Sequence, residues 1–255
     1  MQVHNAILKY PGGKWRIAEW IISHFPEHKV YLEPFFGSGA VFFKKEPCYV
    51  ETINDINGDI VNLFRICRDY PEELAKLINL TPFSREEFAN CYERSEYPIE
   101  QARRTLVRYH QSFGTSNATK NSWRNVQQYG GPRTATIWNN LPGIIFEVCS
   151  RLKDAQIENT DALTLINRYN DEKTLIYCDP PYLQSIRKRN MYEYEMTDMD
   201  HLELITALKN SSSKIILSGY ENDLYDYYLR EWNKDSIKTT AQMGKKRTEF
   251  LWMNF

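Results

Sequence analysis

The chain has 255 residues, enough for one core with an inserted module at roughly 150 residues per domain. Its 42% hydrophobic and 25% charged residues are those of a folded globular protein and exclude a disordered or fibrous chain. With 32 Lys+Arg against 33 Asp+Glu the formal charge is −1, which speaks against a uniformly basic nucleic-acid binder but is silent on how charge is distributed.

The opening MQVHNAILKYPGGK lacks the apolar stretch of a leader peptide, and no run approaches the roughly 18 apolar residues of a membrane span. Cys48, Cys67, Cys91, Cys149 and Cys178 are scattered and form no CxxC pair, so a reducing compartment is expected and a disulfide framework or zinc knuckle is not. The expectation is a soluble cytoplasmic protein with no membrane partner. His24 and His28 have a metal-like spacing, but Pro26 between them breaks the helix that would align them, and no metal is expected.

A buried strand at Val30–Leu32 runs into EPFFGSGA, residues 33 to 40, and then VFFKK, which reads as strand, Gly-rich turn and helix. A second strand, Tyr49–Ile53, ends in NDIN, with a helix over Asp59–Arg68 after it. This βαβ beginning predicts a doubly wound α/β sheet. Residues 70 to 110 then read as helical and charged, and strand-like runs return only at Ala155–Glu158, Thr174–Cys178 and Lys214–Ser218. About eighty residues are therefore inserted into the α/β core.

Inside that insertion, Gln101 to Phe146 contains 46 residues without an Asp or Glu. It carries Arg103, Arg104, Arg108, Lys120, Arg124 and Arg133, a formal charge of +6 that leaves −7 for the rest of the chain. Asn, Gln, Ser and Thr abound, with Tyr109, Phe113, Trp123, Tyr129 and Trp138 interleaved. Phosphates require cations, and base edges require amide and guanidinium groups, so the composition is that of a nucleic-acid surface. Arg108, Ser112, Asn117, Lys120 and Arg124 are its candidate DNA contacts, and binding is expected to be salt dependent. A solvated polar loop is the plainer alternative.

Two motifs carry chemistry. In FFGSGA, Gly37 and Gly39 allow close approach of a ligand, but Phe42 stands where a dinucleotide fingerprint has its third glycine, which disfavours a pyrophosphate. An adenosine without phosphates still suits the turn, and Asp55, after the second strand, is placed for ribose hydroxyls. The stronger motif is Asp179-Pro180-Pro181-Tyr182, directly after the strand TLIYC. Two prolines make the strand end a rigid ledge without N–H donors, preceded by a carboxylate and followed by an aromatic ring. Asp179 and the Pro180 carbonyl suit the two N–H groups of an exocyclic amine, while Tyr182 suits stacking on its ring. Arg187, Lys188 and Arg189 follow, where a loop would border the mouth of the pocket, near phosphates.

DPPY at 179–182, FxGxG at Phe35–Gly39, Asp55 and LKYPGGK at 8–14 stand in the order found in Dam-type N6-adenine DNA methyltransferases, which the chain resembles over nearly its whole length, including Tyr192–Leu204 and the final TEFLWMNF. The resemblance implies a class I methyltransferase, Rossmann-like sheet over 1–68 and 147–255 that binds S-adenosylmethionine. It also implies an inserted, mainly helical target-recognition domain over 69–146. It assigns the cofactor to Tyr10, Lys14, Glu33, Phe35, Gly37, Gly39, Asp55, Asp161 and Asp179, with Lys14 by the methionine end. Catalysis falls to Asp179, Pro180, Pro181 and Tyr182, and Lys9 approaches duplex DNA beside the target base. Asp161 is equally suited to cap the following helix.

The implied reaction transfers a methyl group to N6 of an adenine flipped from duplex DNA. Methylation of RNA or of another amino group, and a catalytically silent DNA-binding regulator, are the alternatives. The expected form is a monomer on DNA, with action beside a restriction endonuclease left open. GATC is the commonest target in that family, but SFGTSNATKNSWRN, residues 112 to 125, does not match the hairpin of the GATC-specific members.

Overall fold

The computed structural model describes residues 3–255 apart from 115, 117, 126–133, 188, 189 and 241–245. In the first part of the chain, α1 (Ala18–Ile22), β1 (Val30–Glu33), α2 (Ala40–Lys44), β2 (Val50–Asn54) and α3 (Gly58–Asp69) alternate as expected. Then come α4 (Pro71–Leu80), α5 (Arg85–Asn90), α6 (Pro98–Gln111), α7 (Thr134–Asn139) and α8 (Leu141–Leu152). Alternation resumes with β3 (Gln156–Glu158), α9 (Ala162–Arg168), β4 (Thr174–Cys178), α10 (Asp198–Lys209), β5 (Lys214–Gly219) and α11 (Asp223–Tyr228), and the chain ends on β6 (Asn233–Thr240) and β7 (Lys246–Met253).

The strands form one sheet in the order β3-β2-β1-β4-β5-β7-β6. Pairing is parallel from β3 to β5 and antiparallel where β7 meets β5 and β6. The α/β architecture is therefore as read from the sequence, with strand ends shifted by a residue. The sequence does not announce the closing hairpin, because NKDSIKTT has no apolar run and β7 opens on exposed, polar residues before its buried end.

Side-chain parity splits the core in two. Tyr31, Leu175, Tyr177, Ile216 and Leu251 face one cluster, which also holds residues of α1, α3, α4, α6 and α8. Leu32, Ile176, Cys178, Ile215, Leu217 and Trp252 face the other, with α9, α10 and α11. The helices between β2 and β3 are not set apart from the sheet: α6 and α8 pack on α3, α8 also packs on α4, and all share the first cluster.

The topology fixes where a ligand belongs. From β1 the chain winds outward through β2 and β3, then returns to pair β4 with β1 and winds the other way through β5. The reversal lies between β1 and β4, and such sheets open a crevice there at the carboxyl ends of the strands. The FxGxG turn follows β1 and the DPPY motif follows β4, so the two motifs meet at that crevice.

Candidate active site

A cavity of about 310 Å³ occupies the crevice, within the range of roughly 300–1,000 Å³ usual for small-ligand sites. Tyr10, Lys14, Glu33, Phe35, Gly37, Asp55, Asp161 and Asp179 all line it. Gly39 does not. It caps α2 at φ 66°, and a Cβ there would stand 2.3 Å from the Phe36 ring and 2.7 Å from that of Phe43. Its lack of a side chain serves the packed Phe36, Phe42, Phe43 and Phe64 rings rather than a ligand. Phe42, at the place of a third glycine, belongs to the same packing. Gly37 at φ 51° is similarly crowded, its Cβ position lying 2.9 Å from the ring of Tyr10.

Asp55 holds the turn from β2: its carboxylate accepts from Gly37 N at 2.8 Å and Asn57 N at 2.9 Å. Burial pushes its carboxyl up to about 6 against those two bonds. Asp161 accepts from Thr164 N at 3.1 Å as the cap of α9 and also lines the cavity. Glu33 is buried and accepts from the Tyr31 hydroxyl at 2.6 Å. Burial pushes its carboxyl up to about 8, the Tyr31 hydrogen bond opposing and the Asp179 charge adding to the rise.

A carboxyl that keeps its proton in the fold from its ordinary 4.5 up to about 8, but loses it in the unfolded chain, makes stability fall as pH climbs through that window. Glu33→Gln cannot ionise, so in urea unfolding the variant should gain on its parent between about pH 5 and pH 8 and keep a constant difference above that. Parallel pH profiles for the two proteins would refute this.

At the end of β4, Lys14 Nζ stands 2.6 Å from each oxygen of Asp179, and the Ser218 hydroxyl donates to Oδ1 at 2.9 Å. Lys14 also donates to Gly12 O at 3.0 Å and lies 3.5 Å from Glu249. Although burial opposes its charge, Asp179 and Glu249 hold the ammonium well above the usual lysine range. Lys14 is thus bound to the DPPY carboxylate, a closer tie than placement by the methionine end. Pro181 lines the cavity, and Pro180 is buried.

Tyr182, expected on a target base, is packed instead in this structure. Its hydroxyl donates to Glu249, its ring meets Tyr220 edge-on at 4.5 Å, and Lys14 Nζ lies 4.9 Å from its centre. Glu249 and Ser218 were absent from the sequence reading, yet parity gives both away. Glu249 shares a face of β7 with buried Leu251, and Ser218 a face of β5 with buried Ile216. Tyr192, Tyr194 and Glu195 close the cavity from the segment before α10.

The basic residues divide into bound and available. Arg103 pairs with Glu87 and Glu100 at 2.7 Å, and Arg104 with Glu100 at 2.7 Å, so acids just outside the acid-free stretch neutralise part of its charge. Arg108 meets Glu193 at 3.4 Å. Arg187, expected near phosphates, is taken by Glu195 and lies against the Tyr192 ring. Ser112 is buried, its hydroxyl donating to Gly114 O at 3.0 Å, and its own carbonyl accepts from Arg124 Nε at 3.1 Å. That bond ties the two ends of a loop in which Ser112 pairs with Trp123 and Phe113 is 70% exposed. Lys120 lies over the Tyr92 ring. Lys9 is lowered to about 8 by burial and by the neighbouring Arg124 charge, a pairing of like charges that an anion would relieve. Asn117, Lys188, Arg189 and Arg133 lie outside the described residues.

His24 bonds Asp235 and His28 bonds the Pro26 carbonyl, each at 2.8 Å. Among the described residues no group of three or more His, Cys, Asp or Glu side chains is arranged to hold a metal ion, and no helix is long and apolar enough to cross a membrane.

The model of the D12 class N6 adenine-specific DNA methyltransferase family matches residues 10–244. The chain is 27% identical to the type II methyltransferase M1.LlaDCHI of Lactococcus lactis subsp. cremoris, over 93% of this chain and 89% of that one. It is 26% identical to the DNA adenine methylase of Escherichia coli K12, over 91% and 85%, and 25% identical to the type II methyltransferase M.MjaIII of Methanocaldococcus jannaschii, over 97% and 98%.

Proposed function

The chain belongs to the D12 class of N6 adenine-specific DNA methyltransferases, and from that premise we propose that it binds S-adenosylmethionine in the β1–β4 crevice and methylates an adenine turned out of duplex DNA. The observation that carries this reading is Asp179, a carboxylate on a proline ledge at the edge of a cavity rich in acids. Glu33, Asp55, Asp161 and Asp179 line that cavity, while Lys14 is already bound to Asp179. With Lys14 taken, this set of carboxyl groups offers a phosphate no counter-charge and suits an adenosine that carries a cationic amino-acid tail. When bound, the cofactor supplies an electrophilic methyl group on its sulfonium.

The chain's own residues then orient the acceptor. Asp179 accepts an N–H of the adenine amino group, which favours the tetrahedral nitrogen that attacks and stabilises the positive charge growing on it. Asp55 takes the ribose hydroxyls with the lone pairs left by its two backbone bonds. Tyr192, Tyr194 and Glu195 keep water from the reacting atoms. A strong base is not needed, since the methylated amine is acidic and its proton leaves through Asp179 or solvent. A DNA substrate and five free, unpaired cysteines suit a cytoplasmic location.

We place DNA recognition on the Ser112–Arg124 loop within residues 69–146, together with Lys9, on which the Arg124 charge acts. Affinity for duplex DNA should fall steeply with salt, despite a net charge of −1. Lys120→Ala and Arg124→Ala should each lower the log–log salt slope by about 1, whereas Arg103→Ala, whose partners are acids of the chain, should leave it unchanged. Equal effects from all three would refute this division. The function itself is tested by incubating the protein with methyl-labelled S-adenosylmethionine and genomic DNA free of N6-methyladenine, single-stranded RNA, or no nucleic acid. Label recovered as N6-methyladenine from DNA alone is expected. Label in RNA, or none in any arm, overturns the reading.

A further inference from the structure

Lys14 and a target amino group compete for one carboxylate. The ammonium sits 2.6 Å from both oxygens of Asp179, and Ser218 takes a further lone pair of Oδ1. An amine brought to the remaining acceptor position would lie beside a full positive charge. As the methyl group is transferred, positive charge also grows on that amine. Two like charges that close together repel strongly where water is excluded. Lys14 therefore opposes the reaction for as long as it stays on Asp179.

The structure offers the ammonium one other place. Among the described residues the only other acid within ion-pair distance of Lys14 is Glu249, 3.5 Å away. It is 4% exposed, and it is held in place by the hydroxyl of Tyr182, itself part of the DPPY motif. A shift of under about 1 Å would close that gap to a direct hydrogen bond. Gly12 O, 3.0 Å from Nζ, can stay bonded throughout.

We propose that Glu249 is a positioning residue that draws Lys14 off Asp179 when the adenine enters, so that Asp179 is free to accept the amino group while the ammonium stays neutralised. Tyr182 links the two events, because it closes the ledge that begins at Asp179 while its hydroxyl orients the acid that receives the lysine. This inference rests on the adenine-methylating function proposed above, and wild-type activity tests that function separately.

The experiment compares Glu249→Gln, which keeps the shape and an oxygen for Tyr182 to bond but loses the charge, with the parent, with Lys14→Met and with the double variant. The wild type must first deposit N6-methyladenine in genomic DNA; if it does not, the function fails rather than this inference. Glu249→Gln should lower kcat on the order of 10- to 100-fold with KM for DNA little changed. In the Lys14→Met background, where no ammonium needs moving, the same substitution should cost less than about twofold, a non-additivity that a purely structural acid would not produce.

A second measurement needs no variant. In a crystal structure of the wild type with sinefungin and a duplex carrying the site that it methylates, Lys14 Nζ should lie on Glu249 and away from Asp179. An unchanged kcat in Glu249→Gln, additive losses, or Lys14 still on both oxygens of Asp179 in that complex would each overturn the proposal.

Discussion

Asp179→Ala should bring methyl transfer to DNA below detection while leaving the chain folded. The carboxylate stands at the carboxyl end of β4, beside the cavity, with Pro180 and Pro181 fixing the backbone that follows it. Its removal takes away the acceptor that orients the amino group and the negative charge that faces the developing cation. Losses of about 10²–10³ are usual when one preorganised electrostatic partner is deleted, and of about 10²–10⁴ when a positioned proton acceptor is lost. Asp179→Asn separates the two contributions, since it keeps an oxygen acceptor but no charge, and should retain a trace of activity that the alanine variant lacks. Lys14 keeps a partner in Glu249, so neither variant strands a buried cation. Single-turnover methylation, with thermal melting as a control for folding, decides the matter. Full methyl incorporation by the alanine variant would remove Asp179 from the reaction.

The parts of this site legible in the sequence are those that local chemistry encodes. A parallel strand buried on both faces reads as an unbroken apolar run, so TLIYC and KIILS announce β4 and β5, and the polar or proline residues after them mark the crevice edge. What escaped depends on partners distant in the chain. Nothing near Lys14 shows that it will meet a carboxylate 165 positions away, or that Glu249 will join them from the last strand. The acid-free stretch overstates the free charge for a related reason. Glu100 lies one residue before it, and on α6 three- and four-residue spacings bring Arg103 and Arg104 onto that acid. In the FxGxG turn Gly37 lines the cavity, but a Cβ at Gly37 or Gly39 would also meet rings of the chain itself, a crowding that the local sequence does not display.

The largest effect on stability is expected far from the chemistry, at Glu51. Near the start of β2, at the opposite end of the strand from Asp55, its carboxylate accepts from Lys45 Nζ at 2.5 Å and from Arg151 at 2.5 and 2.8 Å. The three residues are 4%, 4% and 8% exposed. Lys45 follows α2 and Arg151 ends α8, so one buried acid joins the sheet to helices from both parts of the chain. Burial opposes its ionisation, but the bonds from Arg151 and Lys45 hold the carboxyl below its ordinary range. Its contribution is therefore present above that range and is lost as pH falls through it.

Glu51→Gln leaves two cations facing each other in the interior, and breaking such a group by removing one member costs about 3–5 kcal/mol. Replacing all three with apolar residues of similar size should restore most of that loss, because the desolvation of the charges disappears along with their attraction. Urea unfolding at neutral pH measures both variants, and kcat per folded molecule should match the parent in each, since the cavity lies at the other end of the strands. A loss below about 1 kcal/mol in Glu51→Gln would mean that water or a shifted side chain compensates the two cations, and that the join between sheet and helices rests on apolar packing alone.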